Sequence, residues 1–428
     1  IMALATELDR LPKPPVIVAH IDGYREPVVA NIFASRARIA SILGCREDEI
    51  SQRWSTIERN LIQPTLVGNA PVQSRVLQGD EIDLSRLPIM QHYITDGGRY
   101  ITSGIVVAKD PDTGIRNLSF HRIQMKGPRK AGISLHSRQH LYQYFQRAES
   151  RGEDLEVAVI VGAHPAFLLS ASAKPGILVD EFDIAGSILG EPVELAQGVS
   201  VNLEYPASAE IVMEGKILAG VREPEGPFGE FTGYSTSHST ENVLEISALC
   251  SRPSPYYLSI IPGSAADHLF LARVAREAAI LLRLQEKIPN IKNICYPKSG
   301  VNFHCYLSIS HSPEGLARQA LMLLMGLDHY VKLAVAVDDD IDIEQEAEVW
   351  WAVATCMQGD EDIFVIPEVF TIPLDPSSKH GMSAKVGIDA TMKERMRSEV
   401  LVCRPRPEHL QAVRKILSRR LEKHQNMK

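Results

Sequence analysis

Two glutamates flank a stiff loop in Pro224-Glu225-Gly226-Pro227-Phe228-Gly229-Glu230. Its Gly-Pro-Phe-Gly centre suits neither a regular helix nor a central strand, because proline lacks an N–H and glycine favours turns. A loop of this kind can aim both carboxylates into one cavity. Two carboxyl groups held close, with an arginine nearby, settle as one protonated acid and one fixed anion, a general-acid arrangement. Taken alone, the segment still reads better as a surface turn with two solvated glutamates.

A second candidate is Arg116-Asn117-Leu118-Ser119-Phe120-His121-Arg122. The period of two in a strand puts Asn117, Ser119 and His121 on one face and Arg122 on the other. For Asn117 and Arg122 to serve one site, a bulge or a strand end must intervene. Alone, this is a barrel strand with one wet face. His140, after Gln139, and Glu181 add the nitrogen and oxygen donors that, with Asn117, suit a manganese- or magnesium-like ion. A lone His or Glu is more often structural, and their spread gives no ligand spacing. Asp338-Asp339-Asp340 fits a cap or solvated loop better than a metal site. Cys295, and Cys305 beside His304, fit packing. The common nucleotide-binding, metalloprotease and hydrolase signatures are absent.

The elements that must position these residues change character along the chain. The first part alternates strand and helix signals: Pro15–Val18 and Val28–Phe33 are apolar runs, and Ser35 opens a helix that Gly44 stops. From about Tyr100 the signals are β: Ile101–Ala108, Asn117–Gln124, Leu155–Gly162 and Val199–Val212, with turns at Asp110–Gly114 and Glu214-Gly215 and one helix at Ser137–Arg151. Such a mix predicts a barrel-like β domain. Helices return after Glu245. Leu271–Ile288 is amphipathic, Ser312-Pro313 opens another helix, Leu333–Val337 is a buried strand, and Glu344–Met357 is helical. A polar helix over Glu408–His424 is expected to dock on a neighbour.

Composition limits the function classes. The 428 residues carry 45 Lys and Arg against 53 Asp and Glu, a net charge of −8. A mildly acidic chain is a poor match for nucleic acid or an anionic membrane. No apolar run reaches the roughly 18 residues of a membrane span. Six cysteines without a C-x-x-C pair, and no signal peptide, predict a reduced, cytoplasmic enzyme. The chain opens at Ile1 in a helix-like stretch to Leu11, so an N-terminal piece is expected to be missing.

In combination the segments are more specific. Asn117-x-x-x-x-Arg122, Gln139-His140, Glu181, Glu225-Gly-Pro-Phe-Gly-Glu230 and Lys385-x-Gly387-x-Asp389-Ala390-Thr391 follow in this order. The whole resembles the UbiD-like decarboxylases, which use prenylated FMN. The resemblance covers nearly the whole chain, with Pro27–Asn31 and Val335–Asp342 similar to stretches of the family's N- and C-terminal domains. It implies four regions: an N-terminal α/β domain (1–95), a central flavin-binding split β-barrel (96–245), a C-terminal α/β domain for oligomerisation (246–405) and a C-terminal helix (406–428).

The resemblance also implies roles. Asn117, His140 and Glu181 resemble ligands of a divalent metal, Mn2+ or Mg2+, that holds the cofactor phosphate. A K+ ion sits near Ser170–Ala173, so Ser172 and Ala173 join the cofactor site with Ser119, Phe120, His121, Gln139 and Lys385, the last meeting the phosphate. Arg122, Glu225 and Glu230 resemble the Glu-Arg-Glu network beside the modified ring, with Glu230 as proton donor and Arg122 orienting the substrate carboxylate. Losing carbon dioxide from an sp² carbon needs an electron sink that side chains lack and the prenylated flavin supplies. The expected substrate is an α,β-unsaturated or (hetero)aromatic acid, the cofactor supplier a flavin prenyltransferase, and the assembly a homo-oligomer, dimer or hexamer. The runner-up is an FMN-binding split-barrel oxidoreductase, which has no need of the Glu-Arg-Glu set. A non-catalytic scaffold has no reason to keep both that set and the metal donors.

Overall fold

The computed structural model describes residues 14–135 and 139–400, with 402–403, 408–409, 412–413 and 416 beyond them. The stretch Ile1–Leu11 lies outside the described residues, as do Ser137 and most of Glu408–His424.

The chain begins with the antiparallel strands Val16–Val18 and Val28–Ala30, and Tyr257–Leu258 joins the second in parallel. The first sheet is thus completed by residues that follow the central domain. A helix runs from Arg36 to Leu43 and ends on Gly44 at φ 67°, where a side chain would be strained.

The central sheet is antiparallel throughout. Its order is Tyr100–Ile101, Ile123–Met125, Lys130–Ile133, Ser239–Ser251, Ile211–Glu225, Leu155–Val161, Ile105–Lys109 and Arg116–Phe120, with Arg75–Gln78 also on Ser239–Ser251. One edge strand ends at Phe120, and the strand next to the opposite edge starts at Ile123. Only His121 and Arg122 join them. The three steps from Phe120 to Ile123 span no more than about 11 Å, so the sheet has to curl until its two ends come close, giving a half-barrel. Arg122 is left in the gap. A strand end therefore falls between Asn117 and Arg122.

Several expectations are corrected. Glu214-Gly215 is no turn: the strand Ile211–Glu225 runs through it with a bulge. The bulge follows from packing, since a Cβ on Gly215 would lie 2.1 Å from the Glu245 carbonyl oxygen. Val199–Val212 is two strands, Glu204–Pro206 and the start of Ile211–Glu225, because the Val199 and Ser200 amides are taken by the buried Glu214 carboxylate. Asn117–Gln124 is likewise divided between Arg116–Phe120 and Ile123–Met125.

The helix Ala266–Lys287 leads into a five-stranded sheet ordered Ile291–Cys295, His304–Ile309, Leu333–Asp338, Met382–Asp389, Ile363–Phe370, whose three central strands are parallel. Alternation sorts its two faces. Cys305, Leu307, Ala334 and Ala336 pack with the helix Leu316–Leu327, while Tyr306, Val335 and Val337 pack with Glu346–Cys356. The helix expected at Ser312-Pro313 starts later, capped by Gly315 at φ 86°. Among the described residues no helix is long and apolar enough to cross a membrane.

Candidate active site

Arg122 holds two carboxylates at once. Its Nε and Nη2 donate to the two oxygens of Glu225 at 3.1 and 2.8 Å, and its Nη1 donates to Glu230 Oε1 at 2.5 Å. Glu225 is the last residue of its strand and is wholly buried; its Oε2 also accepts from Ser239 Oγ at 3.1 Å. Glu230 stands on the following loop with one oxygen on Arg122. Burial works against the charge on Arg122, but Glu225 and then Glu230 outweigh it and hold the guanidinium above its ordinary pKa. Phe228 lies under the guanidinium at 5.4 Å.

The loop is fastened to the segment before the first sheet strand. Gly97 N donates to the Pro227 carbonyl at 2.7 Å, and Gly229 N to Asp96 Oδ1 at 3.0 Å. Asp96 Oδ2 accepts from the His92 and Tyr93 amides at 3.1 and 2.8 Å. The backbones approach so closely that a Cβ on Gly97 would lie 2.0 Å from the Gly226 oxygen, and one on Gly229 would lie 2.4 Å from the Tyr93 ring. These glycines set where Glu230 stands.

A second cluster forms on the edge strand. Asn117, Ser119 and His121 share a face as the alternation requires: Ser119 Oγ donates to Asn117 Oδ1 and contacts His121 Nε2, both at 2.9 Å. Asn117 Nδ2 donates to Glu181 Oε1 at 2.9 Å, and Leu118 N to Glu181 Oε2 at 2.8 Å. His140 Nδ1 stands 3.9 Å from the same Glu181 oxygen. Glu181 and His140 each open a helix, Glu181–Leu189 and His140–Ser150, so both are fixed by their elements.

Burial pushes Glu181 up to about 8, and burial also pulls the His140 imidazole down. A buried carboxylate without a strong cationic partner, beside a neutral imidazole, an amide and the unpartnered buried Gln139 Oε1, is a donor set that fits a divalent cation. Among the described residues no three His, Cys, Asp or Glu side chains gather; Asn117 is the amide third here.

Ser172 and Ala173 follow the helix Pro165–Ala171, which packs on both Arg116–Phe120 and Glu181–Leu189. Phe120 is half-buried at the end of its strand. The structure does not bring Lys385 into either cluster. Its buried ammonium donates to the carbonyls of Met325 and Asp328 at 3.1 Å each, serving the end of the helix Leu316–Leu327, where carbonyls lack helical partners. Burial lowers it to about 8. Asp338 is used locally by Arg397 and the Met392 amide. Tyr100, Asp96, Gly97 and Ser239 also belong to the site, though none lies in a motif of the sequence. The only local signal was the Asp96-Gly97-Gly98 turn.

The comparisons with known proteins show the family and the fold. Residues 1–57, 65–265 and 269–390 match the N-terminal, Rift-related and C-terminal domains of 3-octaprenyl-4-hydroxybenzoate carboxy-lyase. The chain belongs to the UbiD family of prenylated-FMN decarboxylases and is a carboxy-lyase of that class. It is 35% identical to the anhydromevalonate phosphate decarboxylase of Methanothermobacter thermautotrophicus over 90% of each chain. The UbiD-class enzyme HmfF from Pelotomaculum thermopropionicum, in complex with FMN, superposes with a TM-score of 0.91 at 38% identity, over 95% of this chain and 91% of that one. An evolved dimeric form of HmfF, in complex with prFMN, gives 0.87 at 36%, over 95% and 90%. The apo 3,4-dihydroxybenzoic acid decarboxylase AroY of Klebsiella pneumoniae gives 0.87 at 27%, over 92% and 87%.

Proposed function

We propose that this chain decarboxylates an α,β-unsaturated or (hetero)aromatic carboxylic acid on prenylated FMN, with Glu230 as the proton donor. The observation that carries this is the unequal grip of Arg122. Glu225 receives two guanidinium nitrogens and the Ser239 hydroxyl and is sealed from water, whereas Glu230 receives one nitrogen. Glu225 is therefore the fixed anion, and Glu230 keeps an oxygen for a proton. Arg122 orients the substrate carboxylate and keeps the two glutamates apart in role. The bound flavin supplies the electron sink that loss of carbon dioxide requires.

Asn117, His140 and Glu181 would hold Mn2+ or Mg2+, which neutralises the cofactor phosphate and anchors the flavin without taking part in bond breaking. The stretch Ser170–Ala173 would lie at an accompanying K+. The relatives are named as decarboxylases of anhydromevalonate phosphate and of 3,4-dihydroxybenzoic acid, and both names support a carboxylic acid of this class as the substrate.

The test is to express the chain together with a flavin prenyltransferase, then take the absorbance spectrum and the mass of the released cofactor with a metal analysis. Prenylated FMN with stoichiometric manganese is expected, together with turnover of at least one unsaturated or aromatic acid. Plain FMN with oxidation of NAD(P)H would contradict the reading and point to the reductase.

A further inference from the structure

One buried hydroxyl of the active site has no assigned role. Tyr100 lies on the short edge strand Tyr100–Ile101, opposite Gln124, and is wholly buried. Its ring packs on Phe228 with centroids 4.6 Å apart, and Phe228 underlies Arg122. Its hydroxyl faces Glu225 and donates to the Pro227 carbonyl at 3.4 Å. That distance is long for an O–H···O bond, and a carboxylate is the stronger acceptor. Catalytic hydrogen bonds commonly tighten only when substrate is bound.

Gly132 pairs with Gln124 beneath the same carboxylate, and a Cβ there would already sit 3.7 Å from Glu225 Cγ. The other charges that face the unit are committed. Arg122 spans both glutamates, and Lys126 is tied to the Pro224 carbonyl and Glu223, with Lys130 on Glu223. His268, on the helix Ala266–Lys287, stands near Glu230 with its Nδ1 on the Gly263 carbonyl at 3.0 Å.

We propose that Tyr100 is a positioning residue of this site: its hydroxyl donates to Glu225 in the substrate complex, keeps Glu225 the fixed anion, and so leaves the transferable proton on Glu230. This rests on the decarboxylase reading above. A carboxylate with one donor more holds its negative charge against acid better. Burial and then Glu225 raise the phenol far above its ordinary range, so Tyr100 remains a donor at any working pH.

The test compares decarboxylation by wild-type and Tyr100→Phe holoenzymes from pH 5 to pH 9. The variant keeps the ring on Phe228, so an unchanged flavin spectrum is expected. With a donor lost, kcat is expected to fall roughly tenfold with KM nearly constant, and the acid limb of the profile to move up by about one pH unit. A variant that melts earlier but keeps the wild-type acid limb would overturn the proposal, since that is what a purely structural role does. Should Tyr100→Phe fail to fold, 3-fluorotyrosine at position 100 keeps the shape and is a stronger donor. The acid limb must then move down, and an unmoved limb overturns the proposal. A wild type inactive on every unsaturated and aromatic acid would remove both readings; an active wild type with an unmoved variant profile would remove the role of Tyr100 alone.

Discussion

Arg122 bridges Glu225 and Glu230, and the proposed reaction divides its work between these two carboxylates. Glu230→Gln keeps the size of the donor and its contact with Arg122 but removes the proton. Flavin binding is expected to be normal, with turnover lowered at least about a hundredfold; comparing cofactor spectra and initial rates checks it. Arg122→Lys keeps the charge but cannot span two carboxylates with three nitrogens. It is expected to lose most activity although the flavin stays bound, a result that a charge-only role for Arg122 would not produce. On the proposed reading, in which a divalent ion held by Asn117, His140 and Glu181 anchors the phosphate end, chelation is expected to release flavin into the filtrate, and manganese to restore its binding. The residue types at these positions were legible in the sequence. The partners were not: Tyr100 and Asp96 meet Pro227 and Gly229, more than a hundred residues further along the chain, and Ser239 reaches Glu225 across a thirteen-residue loop, with the Asp96-Gly97-Gly98 turn as the one local mark.

At the scale of elements, the site depends on close backbone approach. Gly97→Ala would drive a methyl group into the Gly226 carbonyl, which is backbone and cannot step aside. The loop carrying Glu230 must then move. The expected cost is at least about 2 kcal/mol of stability, with activity lost more than stability; thermal melting set against turnover separates the two. A variant with both properties unchanged would mean that the loop is held by something other than the contacts of Asp96 and Gly97. The sequence showed strands at the right places but not their ends. Glu214-Gly215 looks like a turn because glycine beside a charged residue commonly makes one, yet the same glycine is what lets two long strands meet at a bulge. The division between Phe120 and Ile123 follows from curling the sheet until its edges approach, a property of the whole half-barrel that no window of residues carries.

Across the whole molecule, buried charge ties the first sheet to the helix that leads into the C-terminal domain. Asp267, in the first turn of Ala266–Lys287, accepts from the amides of Asn31, Phe33 and Ile261 at 3.1, 2.7 and 3.2 Å. Arg36 reaches Glu277 at 2.8 Å and Glu344 at 3.0 Å, so one side chain joins the first helix to the interdomain helix and the C-terminal domain. Burial raises Asp267 from 3.8 to about 6, although the three amides oppose the shift. A raised carboxyl pKa means the folded state prefers the proton. The contribution is therefore complete below about pH 4 and is lost as pH rises through 6, to a total of roughly 3 kcal/mol. Asp267→Asn is expected to destabilise the fold, by more at pH 4 than at pH 7. Urea unfolding of both proteins at the two pH values checks this, and an equal difference at both would contradict it. The sequence indicated three successive architectures, since its periodicity changes along the chain, and the order of its motifs indicated the family by resemblance. It did not indicate that Tyr257–Leu258 returns to complete the first sheet, because a two-residue strand has no period of its own.

The central step of the proposed reaction is the move of a proton from Glu230 to the carbon that loses carbon dioxide. The most direct measurement is decarboxylation in D2O by the prenylated-FMN holoenzyme, with wild type and Glu230→Gln side by side, read by mass and NMR of the product. One deuterium at the former carboxyl-bearing carbon with wild type, and no product from a Glu230→Gln protein that still holds its flavin, is the predicted result. Product formed by Glu230→Gln at the wild-type rate would contradict it.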